Sequence, residues 1–177
     1  MKATYSICLF LCLLIMSCNS EPSLQKYFVA NNENSNFIAV DVSPSILNVD
    51  KSTLTFQQNT ALESFDKMNV LAFKLNDKNK AQFEIEKAKV DAILKDKKYQ
   101  QLMRFGNGKE GASVSYVGSD EHIEEFVLYA NKKEAGFAVI RVLGKDMNPT
   151  GIMTMLQVLQ KSNVDLEQLK PLQQLMK

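Results

Sequence analysis

The sequence predicts an α+β domain: a single, mostly antiparallel sheet with helices packed on one face, in the order β-α-β-α-β-β-β-β-α. Three observations carry this. Four short alternating runs in the C-terminal half are joined by links containing Gly, Asn or Asp, which signals antiparallel neighbours. Two earlier β-rich runs are each followed by a segment of helical character. A long, charged stretch free of Gly and Pro, Lys78–Lys98, separates the two groups and reads as a helix.

Taken in order, Phe37-Ile38-Ala39-Val40-Asp41-Val42-Ser43 alternates and is β-branched, hence a strand. Ser43-Pro44-Ser45 then opens a helical turn carrying Ile46 and Leu47. Thr60-Ala61-Leu62-Glu63 fits a capping box, with Leu62 and Phe65 facing the core. Val70-Leu71-Ala72-Phe73-Lys74-Leu75 is the second strand. The long helix has two apolar stripes, Phe83/Val90/Leu94 and Ala81/Ile85/Ala88/Ala92, so contact on more than one side is expected. The four later strands are Gln101–Phe105, Ala112–Val117, Glu124–Asn131 and Gly136–Leu143. Asn148-Pro149 starts a last helix, Asn148 as cap and Pro149 at the first position, with Ile152, Met155, Leu156 and Leu159 inward.

The N-terminus has a different character. Lys2 precedes the ten-residue apolar run Ile7–Met16. A membrane span needs about 20 residues, so this run has the length of a signal-peptide core instead. Ile15-Met16-Ser17-Cys18 follows directly and resembles the bacterial lipobox: an aliphatic residue, a small residue, then Cys. The Cys18 thiol is the nucleophile that would accept a diacylglycerol, and the small Ser17 lets a peptidase reach the bond. Removing 1–17 takes Cys8 and Cys12 away and leaves Cys18 as the only thiol, so no intrachain disulfide is expected. It also removes Lys2, leaving 20 Lys+Arg (21 less Lys2) against 20 Asp+Glu. A neutral surface exerts no long-range pull on nucleic acid, which is excluded as a partner. The resulting division is signal peptide 1–17, polar tether 18–36, α+β domain 37–161 and Leu-rich tail 162–177. Within the tether, Leu24, Tyr27, Phe28 and Val29 interrupt the polar run and suggest a short helix packing on the domain.

The chain resembles the domain of unknown function 4252 family, small lipoproteins of Bacteroidetes-type bacteria. The residues that carry the resemblance are Cys18 in its lipobox, Phe37–Pro44, Leu62–Leu75, Tyr99–Arg104, and Phe137–Asn148 ending Leu143-Gly144-Lys145-Asp146-Met147-Asn148. Together they run from Cys18 to about Lys161. The resemblance implies a place in the cell envelope, anchored in the outer membrane and facing the periplasm. It supplies no catalytic residues and no cofactor.

Candidate chemistry is sparse. Gly106-Asn107-Gly108-Lys109-Glu110-Gly111 lacks the spacing of a phosphate loop and reads as a hairpin link. Asp120-Glu121-His122-Ile123-Glu124-Glu125 is the one carboxylate–imidazole cluster; His122 and Glu124 would share a face on a strand, a thin ligand set for a metal. In the tail, Leu166, Leu169, Leu172 and Met176 recur three to four apart, as a face for a partner or for the chain's own domain, with Pro171 interrupting the helix. The expectation is a lipid-anchored envelope protein, a non-catalytic structural or interaction module that reaches the membrane through Cys18, with an envelope protein as a candidate partner. The alternatives are a periplasmic ligand-binding module and an enzyme using the His122 region.

Overall fold

A computed structural model describes residues 21–43, 50–106 and 110–154. Among them α1 is Leu24–Asn31, β1 Phe37–Val42, α2 Phe56–Glu63, β2 Phe65–Lys74 and α3 Lys80–Ile93. A meander follows: β3 Gln100–Gly106, β4 Gly111–Ser119, β5 His122–Lys132 and β6 Gly136–Met147. A fourth helix, α4, starts at 149 and runs through 154, where the described residues end. The expected class and element order stand. The turn at Ile46 and Leu47 and the tail 162–177 lie outside the described residues.

The strands form one antiparallel sheet ordered β1-β2-β6-β5-β4-β3. After β2 the chain therefore crosses to the far edge, four strand spacings or about 19 Å away. The 14-residue α3 makes that crossing; a helix of this size is about 21 Å long. The meander then walks back until β6 pairs with β2.

The placement of helices is divided. α1 and α3 lie on one face, over Phe37, Leu71, Phe73, Phe137, Val139 and Tyr129. α2 and α4 lie against the other, where Leu62 and Ile152 join Val70, Phe126, Val142 and Met147. The expectation of helices on one face holds for α1 and α3 only. The central strands carry apolar side chains on both faces, Phe73 and Val70 on β2 for instance, so neither face can be left wet.

Several boundaries differ from the reading of the sequence. α2 is capped by Thr55, whose hydroxyl accepts from the Gln58 amide while the Gln58 side chain accepts from the Thr55 amide. Thr60 sits inside the helix and donates to the Phe56 carbonyl, so the capping box is one turn earlier than expected. α3 begins at Lys80 rather than Lys78 because Asn79 is committed to a turn: it accepts from the Asn76 amide and donates to Asn36 and the Lys74 carbonyl. It ends at Ile93 rather than Lys98, and the following turn swings Tyr99 into the core. Its buried residues are Phe83, Glu86, Val90 and Ile93, one face only, and Ile85 is 52% exposed. The second apolar stripe is solvent-facing. The packed domain also starts before residue 37, because Leu24, Tyr27 and Phe28 of α1 are buried within the segment read as tether. Asn148 caps α4 as expected, accepting from the Gly151 amide at 2.7 Å.

The core is densest where three strands present phenylalanine at one level. Phe37 is opposite Phe73, and Phe73 opposite Phe137. The Phe73 and Phe137 rings stack at 5.6 Å, while Phe37 meets Phe73 edge-on at 5.1 Å. Phe83 of α3 leans on both, at 6.0 and 6.1 Å. Gly136 ends this level with φ +121, and a Cβ there would run into the Phe73 carbonyl. Phe73→Ala should cost about 3–5 kcal/mol in urea unfolding, since the cavity sits among aromatic walls. Val29→Ala, at a 65% exposed position on α1, should change stability by no more than about 0.5 kcal/mol.

Candidate functional site

Buried charge is expensive unless paired, and the polar groups beneath the helices are paired in two centres. Arg141 sits mid-sheet on β6, 5% exposed, beneath α1. Its guanidinium grips Glu125 of β5 through two bonds, Nε–Oε1 at 2.6 Å and Nη2–Oε2 at 3.2 Å. A third bond reaches Gln25 of α1 at 3.1 Å, and Phe28 lies 5.4 Å away as a cation–π partner. The planar fork uses its donors on three sides, which fits a clamp for α1.

The second centre joins α1 to α3. Glu86 is 2% exposed. Its carboxylate accepts from Tyr27 Oη at 2.8 Å, Gln82 Nε2 at 2.7 Å and Lys89 Nζ at 2.8 Å. Burial of Tyr27, then its bond to Glu86 and the charge there, holds the phenol pKa far above its ordinary value. Burial does the same for Tyr129 on β5. These groups are held in one protonation state and used for packing.

Beside this centre runs an apolar groove of about 470 Å³. Pro22, Ser23, Lys26 and Tyr27 form one wall, and Lys89, Ala92, Ile93 and Asp96 form the other. The lysines contribute aliphatic stems, while Lys89 Nζ is bonded to Glu86 and Lys26 Nζ to the Glu21 carbonyl. The groove therefore starts where the described chain starts, at the N-terminal end of α1.

The His122 cluster is placed differently from its sequence reading. His122 opens β5, and its Nδ1 lies 2.8 Å from Asp146 Oδ1, both side chains exposed at 69% and 79%. Asp146, in the left-handed region at φ +52, comes from the adjacent strand β6, so Glu124 is not the group that meets the imidazole. Asp146 also lines a shallow cleft of about 210 Å³ between α2 and α4. Among the described residues no three of His, Cys, Asp and Glu gather in a way that could hold a metal ion. The Gly106–Gly111 link closes the β3–β4 hairpin, with Gly106 opposite Gly111, although 107–109 lie outside the described residues. Cys18 also lies outside them.

Comparison with known proteins gives one match. The family described as a domain of unknown function (DUF4252) matches residues 27–155, from within α1 to just past the described part of α4. No curated protein and no solved structure matches the chain.

The buried phenols make stability depend on high pH. An unfolded tyrosine loses its proton near pH ~10, while Tyr27 in the fold keeps its own to much higher pH. Its contribution is therefore complete below pH ~10 and is lost as pH rises above that, at about 1.4 kcal/mol per pH unit for each such group. Urea midpoints measured from pH 9 to 11 should fall steadily, and Tyr27→Phe should flatten that slope.

Proposed function

The chain belongs to the DUF4252 family, and from that premise we propose that it is a lipid-anchored cell-envelope module that acts by contact rather than by catalysis. The observation that supports this is the junction between anchor and domain. Cys18, in its lipobox-like context, precedes by six residues Leu24, the first helical residue, whose side chain is fully buried. Six Cα steps reach at most about 22 Å. An acylated Cys18 would hold the sheet close against the membrane, with α1 as the point where the pull enters the fold. The two ionic centres beneath α1 make that attachment firm, which is a use for buried charge that needs no substrate.

Cys18→Ala tests the anchor. The unsubstituted chain should incorporate labelled fatty acid and sediment with the outer membrane. The variant should carry no label and appear in the soluble periplasmic fraction or as uncleaved precursor, with an unchanged melting temperature. A variant that is still labelled and still sediments would end the proposal.

A second reading has its own support in the apolar groove between α1 and α3, whose volume of about 470 Å³ falls in the range of small-molecule sites. In that reading the module carries an apolar ligand. Dodecanoic acid at 100 times its dissociation constant should then raise stability by about 2.7 kcal/mol in a thermal melt. Ala92→Phe, at an exposed position on the groove wall, should abolish the shift without lowering the melting temperature of the free protein.

A further inference from the structure

The face of the sheet that carries α2 and α4 is closed at one end and open at the other. At the closed end Phe126, Val142 and Met147 are buried together with Ile152 of α4. Toward the open end, Val114, Leu128 and Ile140 are only partly buried. Beyond them the paired positions Ala112, Ala130 and Ala138 stand side by side on β4, β5 and β6, Ala130 exposed and the other two partly buried, while Ala72 of β2 at the same level is already covered. Phe105 on β3 and Ile38 on β1 end that level. Met103 and Phe105 are 41% and 61% exposed. The result is a low apolar floor with a taller apolar row on one flank, a shape that larger aliphatic side chains fill. Exposed apolar surface of this extent calls for an occupant.

We propose that the occupant is the C-terminal segment of the same chain, residues 155–177. α4 already delivers that segment to this face: Ile152 is in its core cluster, and in the sequence Leu156 and Leu159 follow it at helical spacing. The distances agree. From Val142 to Ala138 along β6 is about 13 Å, and five strand spacings across the floor are about 24 Å. The 23 residues of 155–177 span about 35 Å if helical, and more where Pro171 opens the helix. Leu166, Leu169 and Leu172 recur at the spacing that puts side chains on one side of the segment, over the alanine floor. The segment is a strap that closes the sheet's open face.

The test uses the full chain with Cys8, Cys12 and Cys18 replaced by Ser. Into it go Ala130→Cys and, one at a time, Leu166→Cys, Leu169→Cys or Leu172→Cys. Mild oxidation at low protein concentration should close a disulfide within the monomer in at least one of the three pairs, seen by mass spectrometry and on non-reducing gels. Independently, Ala130→Arg, a change at an exposed position, should open the bond after Lys161 to trypsin roughly tenfold faster than in the parent chain. Disulfide-linked dimers without the monomeric species would place the segment on a second copy and overturn the proposal. Absence of any cross-link, with trypsin cleavage unchanged by Ala130→Arg, would overturn it as well.

Discussion

One constraint organises this molecule: Phe37, Phe73 and Phe137 must meet at a single level of three adjacent strands. Side chains alternate along a strand, so a slip of one residue in either pairing would send one phenylalanine to the opposite face. The level also sets the helices. Phe83 of α3 rests on Phe73 and Phe137, and Tyr27 of α1 meets Phe37 at 6.1 Å. With both helices placed by the same rings, Tyr27 and Glu86 come within hydrogen-bonding distance although 59 residues separate them. The polar centre is a consequence of the aromatic one.

The two buried ionic centres share a feature: each has one foot on α1. Gln25 reaches Arg141, and Tyr27 reaches Glu86. Apolar packing alone is tolerant of small rotations of a helix, whereas a fork of charged hydrogen bonds is not. α1 is only eight residues long and would be marginal by itself. Its position is thus set by directional bonds, and its presence by Leu24, Tyr27 and Phe28.

What the sequence disclosed followed from what is local. Strands with turn residues between them were legible, as were Asn148-Pro149 as a helix start and the family itself. The capping box of α2 was placed one turn late because Thr55-x-x-Gln58 and Thr60-x-x-Glu63 are equally good patterns, and only packing distinguishes them. The buried face of α3 was hidden because Glu86 belongs to it; a charged residue reads as solvent-facing unless its partners are known, and one of them, Tyr27, is on another helix. Arg141–Glu125 and His122–Asp146 are pairs 16 and 24 residues apart, made by strand register alone. The alanine floor is invisible for the same reason: its members are scattered from Ala112 to Ala138 and become neighbours only in the sheet.

The strand order has a bearing on how the chain is made. β2 finds its inner neighbour, β6, only after α3 and the whole meander have been synthesised, so Phe73 waits for Phe137 across more than a third of the chain. Until then the N-terminal elements have a bare strand edge and half of an aromatic cluster, and contacts of such sequence separation form late. A ribosome or export channel that delivers the chain from its N-terminus would therefore hand over an unfinished sheet until the last strand emerges. Late closure of the sheet is built into the topology, and a product truncated before β6 lacks the strand that joins the two halves of the sheet.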